Sequence, residues 1–307
     1  MNGTGERQAL VWRHFDIPLR VPFRGQSSRR GSVVCGPYGW GEFSPFPGFG
    51  RDDRGAALAA ARSSAFEPWP PPVRDAIPVH VTVPALEPEP AAELVRSSRC
   101  TSAKVKVGEG DDQARVAAVR EVLGPGGRLV VDANGAWEVE EAIACIRRLD
   151  RWSVDLVEQP VRTCEEMASV RRAVEVPLAA DELAFSEESV RRIVEMEAAD
   201  VLVIKVQSLG GVIPAMRVIE SSGLPAIVSS MLETSVGISA GVALAAALPD
   251  LPYPCGLGTV PLLDGDLVAD SLVPLDGAVS VRRPAVDPAL LERFAGRDFT
   301  RDGRRRS

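Results

Sequence analysis

The feature that most constrains this chain is a period in its second half. From residue 78 onward, short apolar, mostly β-branched runs recur roughly 24 residues apart, with amphipathic stretches between them. The runs are VHVTV (79–83), AKVKV (103–107), RLVVD (128–132), VDLVE (154–158), PLAAD (177–181), VLVIK (201–205) and PAIVSS (225–230). Between them, Val139, Ile143, Ile146 and Leu149 fall at helical spacing, as do Val190, Ile193 and Val194. Strand and helix in alternation imply a parallel sheet. An eighth run is expected near YPCGLG (253–258), where the pattern is weakest. Eight units, with no G-x-G-x-x-G turn after a strand, favour a (β/α)8-type barrel over an open dinucleotide-binding sheet. The stretch GVALAAALP (241–249) is apolar nearly all round and is expected to be a buried barrel helix.

Residues 1–77 differ. RVPFRGQSSRRGSVVCGPYGWGEFSPFPGF is dense in Gly, Pro, Arg and aromatics, and an alanine-rich helix is expected near 54–66. This composition predicts an N-terminal α+β capping domain over 1–77, with 276–307 packing back on it and the catalytic barrel over 78–275. A net charge of -7 gives no reason to expect a nucleic-acid partner, and the basic end RDGRRRS reads as a frayed tail. No apolar run has the length of a signal peptide or a membrane span, so a cytoplasmic protein without membrane attachment is expected. Five scattered cysteines indicate neither a disulfide frame nor a zinc site. With two histidines in the chain, and His80 read as a hydrogen-bonded structural residue, lysine and carboxylate chemistry remains.

Barrels of parallel strands carry their sites at the C-terminal strand ends. Read in order, those ends offer Lys106, Asp132, Glu158, Asp181 and Lys205. One acid after an apolar strand could be a helix cap; three in successive strands are harder to dismiss. Three converging carboxylates would repel one another without a cation, and a hard divalent ion accepts them as oxygen ligands. Magnesium fits this donor set, with manganese as a substitute. Lys104 and Lys106 share a strand face, their Cα atoms roughly 6.6 Å apart. They are either the solvated lysines of an edge strand or a buried pair. In a closed barrel Lys205 would face that pair across the site, and crowding by positive charge would disfavour a lysine's charged form and free it to act as a base. The partner expected is a small-molecule carboxylate that loses its α-proton.

The ordered set GWGEFSPFPGF, KVK, VDANGAW, VEQP, ADE, VIKVQSLGG and SSMLETSVG resembles the enolase superfamily, and within it the muconate-lactonizing subgroup, over nearly the whole chain. The resemblance implies that Asp132, Glu158 and Asp181 ligate magnesium and that Lys106 is the acid/base. It also implies that Lys104 supports Lys106 and that Lys205 stabilises the intermediate from the other face. It is strongest to the subgroup's dehydrating enzymes of menaquinone biosynthesis, which implies a syn dehydration of a cyclohexadiene carboxylate. N-acylamino-acid racemisation, with the same lysines, is the alternative; a non-catalytic ligand-binding barrel is disfavoured because no lysine or carboxylate of the set is missing. CGLGTV lacks the paired aspartates of the dipeptide epimerases. Arg24, Ser229 and Ser230 are candidates for contacts with the substrate's carboxylates, the serines alternatively as caps of the next helix.

Overall fold

The computed structural model describes residues 10–46 and 53–297. The last three residues of the GWGEFSPFPGF motif and the basic tail lie outside them. The chain opens with an antiparallel sheet of β1 (Trp12–Phe23), β2 (Gln26–Gly36) and β3 (Gly39–Phe43). β1 and β2 are joined by Arg24 and Gly25 alone, at φ 48° and 74° between the paired Phe23 and Gln26. Two consecutive positive φ values are what a two-residue hairpin turn requires, which explains the F-R-G-Q of the sequence. Helix α1 (Asp53–Phe66) crosses this sheet so closely that a Cβ on Gly41 would lie 1.8 Å from the Ala61 carbonyl oxygen. Small residues on both partners are therefore a packing requirement, and they account for the alanine-rich helix.

After β4 (Ala76–Pro78) the barrel begins. Its strands are β5 (Val81–Val83), β6 (Ser102–Lys106), β7 (Arg128–Asp132), β8 (Leu156–Glu158), β9 (Leu178–Ala180), β10 (Val201–Lys205) and β11 (Ala226–Ser229), all parallel and in sequence order. Outside them lie α2 (Pro88–Ser98), α3 (Asp112–Leu123), α4 (Val139–Leu149), α5 (Cys164–Arg171), α6 (Glu187–Glu195), α7 (Val212–Ser222) and α8 (Ser235–Ala247). The expected eighth strand is reduced to Cys255 and Gly256, which bridge in parallel to Val79 and Ser229 and so link the first and last strands. A Cβ on Gly256 would sit 2.3 Å from Ser229 Oγ, so the ring closes here on a glycine. Helix α8 touches β3, β4 and β11, which is why its sequence is apolar on every side. Val194, by contrast, lies outside the buried face of α6 formed by Val190 and Ile193.

Beyond the barrel, β12 (Ala278–Ser280) pairs with β4. The residues after the short helix α9 (Pro288–Arg293) return to β1, where Asp16 N donates to Phe294 O and Gly296 N to His14 O, each at 2.9 Å. Among the described residues no helix is long and apolar enough to cross a membrane.

Alternation along the strands sets up the site. Val130, Leu156, Ala179, Val201, Val203 and Ile227 form one apolar cluster, the floor inside the barrel. Residues two further along share the same face. From Val130, Leu156, Ala179 and Val203 that step reaches Asp132, Glu158, Asp181 and Lys205.

Candidate active site

Lys104 and Lys106 are not edge-strand lysines: β6 lies between β5 and β7. Cross-strand register sets Lys106 against Asp132, and Asp132 against Glu158. Lys104 Nζ donates to Glu158 Oε1 at 2.7 Å and lies 3.2 Å from Asp132 Oδ2. Lys106 Nζ donates to Asp132 Oδ2 at 2.5 Å and to Asn134 Oδ1 at 2.7 Å, and stands 5.6 Å over the Phe23 ring. Lys205 Nζ binds both oxygens of Asp181, with Oδ2 at 2.6 Å. All three carboxylates are buried.

Burial alone would push Lys104 down, but Glu158, Asp132 and Asp181 outweigh it and hold its pKa well above the usual value. Lys104 is thus an ammonium fixed by acids. Asp132 is lowered: burial works against its charge, and Lys106 and Lys104 overcome it. Glu158 goes the other way, raised by burial and then by the neighbouring Asp132. Inside the ring His80 is buried, beside the Pro254 backbone. Burial and the Lys104 charge push its pKa down to about 3, so it stays neutral.

The expected convergence of carboxylates on a metal takes a different form. Each acid turns to a lysine, and no group of three or more His, Cys, Asp or Glu is arranged to hold an ion among the described residues. The donor set nevertheless fits a hard cation. It is all oxygen, it lies on neighbouring strand ends, and Glu158 Oε2 is buried without any hydrogen-bond partner.

The substrate-contact candidates divide. Arg24, on the hairpin turn of β1 and β2, reaches the barrel, where its Nη2 donates to Glu182 Oε1 at 2.7 Å. Burial lowers the Arg24 pKa, and the charges of Glu182, Asp181 and Asp132, with the Glu182 hydrogen bond, together more than restore it. Ser229 is buried at the end of β11, and Ser230 Oγ is 2.8 Å from Thr259 Oγ1. Neither serine caps the next helix; Thr234 does, accepting from Val236 N. A cavity of about 280 Å³ opens among Phe23, Arg24, Lys106, Gly108, Asn134 and Ala136, between the hairpin and the strand ends.

Three positioning side chains had no role in the sequence reading although their motifs were recognised. Gln159 accepts from Asp181 N at 2.9 Å and donates to Val161 O at 2.7 Å, bracing the turn that aims Asp181. Asn134 and Glu182 link Lys106 to the hairpin: Asn134 Nδ2 donates to Glu182 Oε1 at 3.0 Å. The signal was their place one or two residues after strand-end carboxylates, in D-A-N, E-Q and D-E.

A capping sheet over a parallel ring, with lysines and acids on facing strand ends, defines the class. Residues 88–285 match the family model described as enolase C-terminal domain-like, and residues 15–65 the enolase N-terminal domain-like model. The chain belongs to the enolase superfamily. Within it, the chain is 54% identical over 287 residues to an o-succinylbenzoate synthase of Thermobifida fusca, covering 92% of this chain and 90% of that protein. It is 42% identical over 286 residues to the o-succinylbenzoate synthase of Mycolicibacterium smegmatis, covering 91% and 88%. Among solved structures, the muconate lactonizing enzyme of Pseudomonas fluorescens complexed with muconolactone superimposes with a TM-score of 0.83 at 21% identity, over 94% of this chain and 98% of the other. The L-Ala-D/L-Glu epimerase of Bacillus subtilis gives 0.79 at 23%, over 90% and 96%. At those identities the likeness is one of fold.

Proposed function

We propose that this protein is a carbon-oxygen lyase, an o-succinylbenzoate synthase of menaquinone biosynthesis. It converts 2-succinyl-6-hydroxy-2,4-cyclohexadiene-1-carboxylate to o-succinylbenzoate in the cytoplasm. Kinship with named synthases, at 54% and 42% identity over 92% and 91% of the chain, supports the reaction. The single observation that carries the assignment of the base is that Lys106 lines the cavity. Its side chain is 14% exposed, against 8% for Lys104 and 7% for Lys205.

Asp132, Glu158 and Asp181 would hold magnesium, or manganese in its place, which when bound supplies a Lewis acid for the substrate carboxylate. Lys106, in its neutral form, takes the proton from the ring carbon that bears the carboxylate. The electron pair left behind spreads onto the carboxylate oxygens, and the Lys205 ammonium on the facing strand stabilises that charge. The ammonium formed at Lys106 then returns the proton to the departing hydroxyl on the same face. The carbon–oxygen bond breaks, water leaves, and the ring becomes aromatic. Lys104 stays charged throughout, holding Asp132 and Glu158 in place. Arg24, Ser229 and Ser230 are the proposed contacts to the substrate's carboxylates.

The test is magnesium-dependent turnover of the cyclohexadiene carboxylate followed by ultraviolet absorbance, beside polarimetry on an N-succinylamino acid. Dehydration without racemisation is expected. Racemisation without dehydration would replace this reading with the two-base alternative.

A further inference from the structure

The hydrogen bonds around Lys106 do not end at the barrel. Lys106 Nζ donates to Asn134 Oδ1 at 2.7 Å, Asn134 Nδ2 to Glu182 Oε1 at 3.0 Å, and Arg24 Nη2 to the same oxygen at 2.7 Å. Three strand-end loops and the capping hairpin thus meet in one chain of polar atoms. Asn134 holds φ 47°, a conformation asparagine tolerates better than most side chains. An asparagine amide has an acceptor side and a donor side and can present either. A carboxylate accepts and cannot donate, so Glu182 fixes the amide with its NH2 outward and its oxygen toward Lys106. Freed from Glu182, the amide can turn its NH2 to the lysine and set donor against donor. Arg24 holds Glu182 from the other side, and its guanidinium lies 5.8 Å from the Phe46 ring. Phe46 in turn packs edge-on against Phe23 at 6.4 Å between ring centres.

We propose that Glu182 is a positioning residue that couples the capping hairpin to the general base, Arg24 holding Glu182, Glu182 orienting the Asn134 amide, and that amide aiming Lys106. This rests on the lyase reading above and adds to it that the base is fully aimed when the hairpin is seated. Arg24 then serves orientation in addition to the substrate contact proposed above.

The experiment is a double-mutant cycle on the intact magnesium-loaded enzyme with Arg24→Met, Glu182→Gln and the double variant, reading kcat, KM and the half-saturating magnesium concentration. Glu182→Gln is expected to lower kcat about tenfold with KM changed less than about threefold, the pattern of a misaimed group rather than lost binding. The double variant should be no worse than the weaker single, because either change breaks the same chain. Arg24→Lys, which keeps the charge, should recover part of the loss. Fold losses that multiply in the double variant, a change in KM alone, or a raised magnesium requirement in Glu182→Gln would each overturn the proposal, the last by making Glu182 a metal ligand. A wild-type enzyme that fails to dehydrate would refute the lyase reading instead. The cycle would then be read in the unfolding midpoint, where additive effects would overturn the contact itself.

Discussion

Two buried polar clusters sit side by side at the C-terminal ends of the barrel strands, and they are built on opposite principles. The first is the lysine and carboxylate group of Lys104, Lys106, Lys205, Asp132, Glu158 and Asp181. The second joins the capping sheet to the barrel. There Glu42 accepts from Ser44 Oγ at 2.6 Å, Thr234 Oγ1 at 2.5 Å and Gly237 N at 2.9 Å. Gln207 Oε1 accepts from Ser44 N at 2.9 Å while its Nε2 donates to Glu233 Oε1 at 3.0 Å, and Met231 N donates to Glu233 Oε2 at 2.5 Å. Every carboxylate oxygen of the second cluster has a donor. Burial pushes Glu42 up to about 7 although its donors oppose that, and burial also raises Glu233. In the first cluster charge is concentrated, acids are shared between lysines, and Glu158 Oε2 is left without a partner. A network in which every carboxylate oxygen is met, with the buried Arg29 guanidinium beside it, fixes one seating of the capping sheet on the barrel. A cluster with paired charges and an unmet oxygen is expensive to bury and is kept for chemistry.

The contrast can be broken by substitution. In the first cluster, Lys205→Met should reduce turnover on the order of 10²-fold or more in steady-state assays, since it removes the charge facing the reacting carboxylate. Activity within a few-fold of wild type would show that Lys205 serves only to neutralise Asp181. Glu158→Gln should raise the half-saturating magnesium concentration about tenfold or more, because an amide is a poorer ligand for a hard cation. An unchanged magnesium titration would remove Glu158 from the ligand set.

In the second cluster the effects should fall on stability and leave turnover largely intact. Glu42 binds a proton more tightly folded than unfolded, so its contribution is present at acid pH. It is lost as pH rises from the usual glutamate value of 4.5 through about 7. Denaturant unfolding at intervals over that window should show a decline that Glu42→Gln flattens; parallel profiles would exclude Glu42 as the source. Thr234→Ala removes both the α8 cap and a donor to Glu42, and should cost about 1–2 kcal/mol in the same measurement. A cost of several kcal/mol with lost turnover would merge the two clusters into one.

Much of the first cluster was legible because a strand fixes faces by twos. An apolar residue on the inner face, such as Val130 or Leu156, places an inner-facing residue two positions on, and the charges at Asp132 and Glu158 stand out there. The eighth strand was faint because it is two residues long, held by Gly256 against Ser229 rather than by a β-branched run. Asn134 and Glu182 sat inside recognised motifs, yet their roles depend on a hairpin more than a hundred residues earlier in the chain. That approach leaves no local pattern. The same holds for Glu42, Gln207 and Glu233, single polar residues in three separate segments that only the packed interface brings together.

The most direct test of the account is turnover of the cyclohexadiene carboxylate by Lys106→Ala at saturating magnesium, with magnesium affinity and circular dichroism measured on the same preparation. The predicted result is a loss on the order of 10³-fold or more, from removal of the group that both takes and returns the proton, with fold and metal affinity close to wild type. Turnover near the wild-type rate in that variant would contradict the mechanism and move the base elsewhere in the site.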